Sequence, residues 1–278
     1  MTASVIIPTY NRASLLPRAI ESVRKQTHTA WELWIMDDGS SDDTPAVLDA
    51  CSDSRINHVR IAHGGVSAAR NAGVRMSRSR AISFLDSDDE WLPNKLSRQL
   101  EYWAEHPELP LIYSSEIWMR GERQVTPPEH YRGESGRILS RAIRTSVISP
   151  STAMLDKSIF EQLGGFDESY PVCEDYDLWL RLCSRYEVGW ISEPLIVRHG
   201  GRTDQLSEST PAMDYWRVRS MARLHATTVL SSGESTTLAE EIERRGRILL
   251  GGYRTRGNSE AFGQVVQMIQ TVVPEFEP

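Results

Sequence analysis

Between Ser4 and Asp89 the chain alternates short apolar runs with helically spaced segments. Ser4-Val5-Ile6-Ile7 reads as a strand closed by Pro8, and Ser14 to Gln26 reads as a helix with Leu15, Leu16, Ala19, Ile20 and Val23 on one side. Glu32 to Met36 is a second strand that runs into the turn cluster Asp37-Asp38-Gly39-Ser40. Thr44 caps a helix that has Pro45 at its first position. Asn57 to Ala62 is a third strand, broken by Gly64-Gly65, and Ser67 to Met76 returns to helix. Ala81 to Leu85 is a fourth strand that ends at Asp86. This repetition predicts right-handed crossovers and a mostly parallel sheet.

The pattern then loosens. Leu111 to Met119 and Val188 to Val197 read as strands, Val147 to Leu155 as extended chain, and Gly121 to Gly136 as a polar loop. Tyr176 to Tyr186 is an amphipathic helix. Met213 to Leu230, Thr237 to Tyr253 and Ser259 to Thr271 all read as helices. The division expected is therefore a domain over 1–204 and a helical region over 205–278.

Composition narrows the classes. The chain has 278 residues, 40% hydrophobic and 25% charged, which is enough to build a core. Lys plus Arg is 31 against 38 Asp plus Glu, a net charge of −7, so no nucleic-acid partner is expected. Cys51, Cys173 and Cys183 form no C-x-x-C pair and read as free thiols of a reducing compartment. The start shows no signal-peptide pattern, and no run approaches the roughly 18 apolar residues of a membrane span. A cytoplasmic protein is expected, with peripheral contact at the inner face of the membrane left open.

In open α/β sheets ligands gather at the carboxyl ends of the strands. Those ends carry Pro8-Thr9-Tyr10-Asn11-Arg12, Asp37-Asp38 and Asp86-Ser87-Asp88-Asp89. Asp86 and Asp88 have the spacing to share a hard cation that keeps positions open for phosphate, although most such pairs are solvated turns. Asp38 and Tyr10 offer an acceptor and an apolar plate to a base, or Asp38 serves its own turn. Gly65 to Gly73 gives a helix start open to close approach, with Arg70 placed for phosphate or for the surface. Glu174 and Asp175 open a helix whose dipole favours ionised carboxylates. Asp177 and Arg181 read most simply as a surface pair. His199 stands before two glycines, where a histidine is more often structural or solvated but could also reach back to the aspartates as a metal ligand, whereas His63 and the other histidines have no comparable setting. G-x-G-x-x-G and the P-loop are both absent.

In order and spacing, five of these segments resemble family 2 glycosyltransferases. They are Ser4–Arg12, Asp37–Thr44, Gly65–Gly73, Phe84–Pro93, and Gly164–Asp167 with Glu174–Trp179, over roughly residues 4 to 200. The resemblance implies a GT-A fold: Rossmann-like, a mostly parallel central sheet flanked by helices, here with a C-terminal helical extension. It implies a nucleotide-diphosphate sugar donor, most commonly a UDP-sugar, with Mn²⁺ or Mg²⁺ and inversion at the anomeric carbon. Carried over by position, Pro8, Tyr10 and Asp38 would hold the nucleoside, with Arg70 and Asp86 near the diphosphate. Asp86, Asp88 and His199 would hold the metal. Asp175, with Glu174 beside it, would be the catalytic base.

The resemblance places no role after about residue 205. The arginines there (Arg217, Arg219, Arg223, Arg244, Arg245, Arg247, Arg254 and Arg256) flank an apolar stripe of Leu238, Ile242, Ile248, Leu249 and Tyr253. That segment would pack on the domain, pair two copies as a homodimer, or present a basic face to lipid or acceptor. The acceptor would be a saccharide, lipid-linked or other hydroxyl compound. Two alternatives stand beside this reading. A sugar-1-phosphate nucleotidyltransferase would carry a glycine-rich loop after the first strand, and Pro8 to Arg12 has no glycine. A non-catalytic nucleotide-sugar-binding protein would not need the full acidic set that is present here.

Overall fold

A computed structural model describes residues 1–278 apart from 203–204 and 206–210; the boundary expected between 204 and 205 falls at this stretch and lies outside the described residues. The sheet is built around β1 (Ala3–Thr9), with β2 (Trp31–Asp37) and β4 (Ala81–Phe84) parallel on either side and β3 (Ile56–Arg60) outside β2. A central parallel strand is covered on both faces, and every residue of β1 is buried. Its side chains still alternate. Ile6, Trp34 and Met36 enter one apolar cluster; Val5, Ile7, Leu33 and Ile35 enter the other. β1 runs one residue past Pro8, because the pairing with β4 ends at Ile6 opposite Phe84 and nothing there asks Pro8 for an N–H.

Helix α1 (Leu16–Arg24) buries Leu16, Ala19, Ile20 and Val23, as its spacing predicts. Helix α2 is Thr44–Asp49, and α3 (Gly65–Met76) lies on β1 and β2. The approach of α3 is close: a Cβ at Gly73 would sit 2.5 Å from Ile6 Cγ2. After β4 the sheet becomes mixed. The short β5 (Glu90–Trp91) and helix α4 (Lys95–Glu105) lead into β6 (Leu111–Arg120). With β8 (Met154–Asp156) and β9 (Gly189–Gly200), the strand order is β3-β2-β1-β4-β8-β6-β9-β5, and β7 (Arg123–Val125) is hairpinned on β6 inside the segment expected to be loop. β8 runs antiparallel to both β4 and β6, and β9 runs parallel to β6 with a register shift around Ser115.

Helices α5 (Leu139–Arg144), α6 (Lys157–Gln162) and α7 (Glu174–Cys183) cover one face. On α7, Asp177 is 1% exposed and holds Arg181, whose other nitrogens bond the carbonyls of Leu163 and Gly165. This pair is therefore an internal tie, not a surface one; the glycine-rich turn after α6 needs its carbonyls satisfied. Three further helices follow: α8 (Met213–Thr227), α9 (Ser232–Thr255) and α10 (Ser259–Gln270). Their residues Val218, Leu224, Leu238, Ile242 and Ile269 belong to the same apolar cluster as Phe84 and Tyr176. Ile248 departs from the expected stripe and is 57% exposed. The arginines of this segment have protein partners: Arg223 with Asp167, Arg244 with Glu241, Arg247 with Glu243, and Arg245 with both Asp214 and Glu241. Among the described residues no helix is long and apolar enough to cross a membrane.

Candidate active site

The carboxyl ends of β1, β2 and β4 open into one cleft of about 1050 Å³, which α7 closes from the other side. Pro8, Tyr10, Asp38, Arg70, Asp86, Asp88, Glu174 and Asp175 all line it. At the end of β1, Asn11 takes φ 53°, a left-handed conformation that asparagine tolerates, and its Oδ1 accepts the Ser41 N–H at 2.7 Å. This bond joins the first strand-end turn to the second.

Asp38 is 3% exposed and its carboxylate is committed. Oδ1 accepts from Gly64 N at 2.8 Å and Oδ2 from Gly65 N at 2.9 Å, so Asp38 satisfies the opening N–H groups of α3. His63 Nδ1 lies 2.9 Å from the same Oδ2. The His63 ring stacks on Tyr10, with centroids 4.3 Å apart and planes at 26°. Tyr10 stays 43% exposed and forms an aromatic shelf at the cleft mouth. No role for His63 is legible in the sequence beyond its place before the glycine pair that opens α3.

Arg70 is the centre of the charge arrangement. Its Nη2 donates to Asp86 Oδ1 at 2.6 Å and its Nη1 to Glu174 Oε1 at 2.5 Å. Burial works to lower the guanidinium, but the two carboxylates outweigh it and hold Arg70 above its ordinary value. Burial pushes Glu174 up to about 7, against the pull of Arg70. Asp175, next along α7, accepts the Tyr176 N–H at 2.7 Å and is also raised, first by burial. Its helix opens from Cys173 at φ 61°, which turns the chain sharply at the cleft wall.

The Asp86–Asp89 turn is pinned by Ser151, which donates to Asp89 Oδ2 at 2.7 Å while its oxygen accepts Asp86 N–H at 3.1 Å. Gln205 Nε2 reaches Asp88 Oδ2 at 3.2 Å, and Arg202 stands 3.8 Å from it. Asp89 is held well above its usual value, by burial and then by the charges of Asp86 and Asp88. Such gathered hard oxygen donors fit Mg²⁺ or Mn²⁺, which takes one or two carboxylates and completes its shell with phosphate and water. Among the described residues no three His, Cys, Asp or Glu side chains are grouped to hold a metal unaided. His199 donates its backbone N–H to Asp89 at 3.2 Å, while its ring Nε2 lies 3.6 Å from Glu90. The structure thus brings His199 to this turn through its backbone and directs the imidazole at Glu90.

A mixed sheet with an acidic turn at the end of β4 and a helix closing the cleft defines the class: the fold is that of GT-A glycosyltransferases. The crystal structure of S. aureus TarS 1–349 in complex with UDP-GlcNAc superimposes with TM-score 0.80, 18% identity, and coverage of 98% of this chain and 82% of that one. The sequence profile of glycosyl transferase family 2 matches residues 4–164, and the chain belongs to that family. An uncharacterized glycosyltransferase of Rickettsia bellii is 34% identical over 195 residues, 69% of this chain and 28% of the relative. The Escherichia coli UDP-Glc:alpha-D-GlcNAc-diphosphoundecaprenol beta-1,3-glucosyltransferase WfgD is 31% identical over 184 residues, 64% of this chain and 68% of the relative. The chain spans about a third of the length of the R. bellii relative and of two further rickettsial glycosyltransferases that it matches.

Proposed function

We propose that this chain transfers a sugar from a nucleotide-diphosphate sugar to an acceptor hydroxyl, with inversion at the anomeric carbon. One observation carries the reading: Tyr10, Asp38, Asp86, Asp88 and Asp175, drawn from four separate elements, face a single cleft. Tyr10 and His63 take the face of the base, and Asp38 holds the loop beneath it. Asp86 and Asp88 would hold Mn²⁺ or Mg²⁺, with His199 the third candidate ligand. When bound, the metal offsets charge on the departing diphosphate. Asp175 accepts the proton of the attacking hydroxyl, and burial, which raises it, brings it nearer the range a general base needs. Arg70 fixes the spacing between the Asp86 turn and α7, so that leaving group and base keep their relative positions. Residues 1–204 form the catalytic domain and 205–278 the helical region attached to it.

The donor is a UDP-sugar and the acceptor a lipid-linked saccharide at the cytoplasmic membrane face. Support comes from the E. coli relative, whose name specifies UDP-Glc and a diphosphoundecaprenol-linked GlcNAc, and from the UDP-GlcNAc held by the TarS structure. The test is a panel of UDP-, dTDP- and GDP-sugars, each assayed for nucleoside diphosphate release with and without Mn²⁺. Release from one donor that needs both metal and Asp175 is the expected result. Pyrophosphate release from a nucleoside triphosphate would point to a nucleotidyltransferase instead.

A further inference from the structure

The helices after residue 205 also reach the cleft. Met213 and Arg217 of α8 line it alongside Cys173, Glu174 and Asp175. Arg217 is anchored from behind: its Nη1 donates to Asp214 Oδ1 at 2.9 Å. Asp214 is in turn held by Arg245 of α9 at 2.5 Å, and Arg245 donates onward to the Arg144 carbonyl at 2.9 Å. A chain of bonds across three helices therefore fixes one nitrogen of Arg217. Among the described residues its Nε and Nη2 have no protein acceptor.

Arg70, which meets this wall through Glu174, is already consumed. Arg70 spends both terminal nitrogens on Asp86 and Glu174. Arg217 and Asp175 lie close enough for each to bias the charge of the other, yet they form no ion pair within 4.0 Å. A cation and a carboxylate thus line the same cleft without forming an ion pair. A molecule that places a hydroxyl at Asp175 and an anion at Arg217 satisfies both.

Resting on the sugar-transfer reading, we propose that Arg217 binds an oxyanion carried by the acceptor, a phosphate ester or a carboxylate, while the acceptor hydroxyl faces Asp175. The C-terminal helices then supply acceptor recognition to a donor site built by the sheet. Arg217 lies on the α7–α8 side, whereas the Asp86 turn is served by Arg70, Arg202 and Gln205.

The test loads the protein with saturating UDP and diamagnetic Mg²⁺, then titrates phenyl phosphate and, separately, glucuronate, with binding read by NMR line broadening. Wild type should bind at least one of the two, and the one bound names the acceptor's charge. Arg217→Gln should weaken that binding at least tenfold while the UDP Kd stays within twofold. Arg217→Lys, which keeps the charge and guards against a folding defect, should fall between. Three results overturn the proposal: loaded wild type binds neither anion at millimolar concentration, R217Q binds as wild type does, or R217Q loosens UDP equally. If UDP fails to bind wild type, the sugar-transfer reading falls, and the same titration on the unloaded protein still decides the role of Arg217.

Discussion

Removing Arg70 tests how the cleft is held together. Arg70→Met leaves Glu174 buried without a cation, while Asp86, which is partly exposed, regains water. Severing one partner of a buried pair costs about 3–5 kcal/mol. For a domain near this size each kcal/mol moves Tm by roughly 2–4 °C, so a loss of about 6–20 °C is expected near pH 8. The loss should depend on pH. In the wild type Glu174 stands at about 7 against an ordinary 4.5, a rise worth about 3 kcal/mol. A raised carboxyl contributes stability that is complete below about 4.5 and is lost as pH climbs through about 7. Without Arg70 the acid rises further and stays protonated, so the defect should shrink toward pH 5 and widen toward pH 8. Thermal denaturation of wild type and R70M at both pH values measures this, and R70M combined with Glu174→Gln should recover much of the loss at pH 8. A Tm difference that is the same at pH 5 and 8, with no recovery in the double variant, would refute the reasoning.

Other outcomes follow from the same geometry. Asp175→Asn should keep nucleotide affinity and lower transfer by about 10²–10⁴-fold in a coupled nucleoside diphosphate assay. Because burial raises Asp175, the acid limb of kcat/KM should lie above the ordinary Asp value, activity falling as pH drops through it. Tyr10→Ala removes the shelf stacked on His63 and should weaken nucleotide binding by about 1–3 kcal/mol in titration calorimetry, with Tm nearly unchanged because the ring is exposed. Gly73→Ala forces a methyl against Ile6 and should cost about 1–3 kcal/mol by urea denaturation.

The parallel half of the fold was legible because its inner strands β1, β2 and β4 are largely apolar runs bounded by Pro8, Asp37 and Asp86, while the edge strand β3 showed through the glycine pair that breaks it. The site's acidic members were legible for the same reason: chain direction sends each strand end to one edge. Partnerships were not. Arg70 and Glu174 are 104 residues apart, and nothing local tells an arginine in a small-residue helix start that it will be buried between two acids. Asp177 and Arg181 have the spacing of a surface pair, and only the turn at Gly164-Gly165 makes them internal. The β6–β7 hairpin was hidden by the polar composition of Gly121 to Gly136, since an edge hairpin over a cleft needs little apolar character. Arg217 sat within a run of arginines whose differing neighbours appear only in three dimensions.

The apolar cluster that joins Phe84 and Tyr176 to Leu238, Ile242 and Ile269 has a practical consequence. Sheet and C-terminal helices share one interior, so they should melt in a single transition. A chain cut near residue 204 would lay open the face of α7 against which α8 packs, and would be expected to aggregate. Any swap of C-terminal segments between relatives, made to exchange acceptors, must carry that buried face across intact.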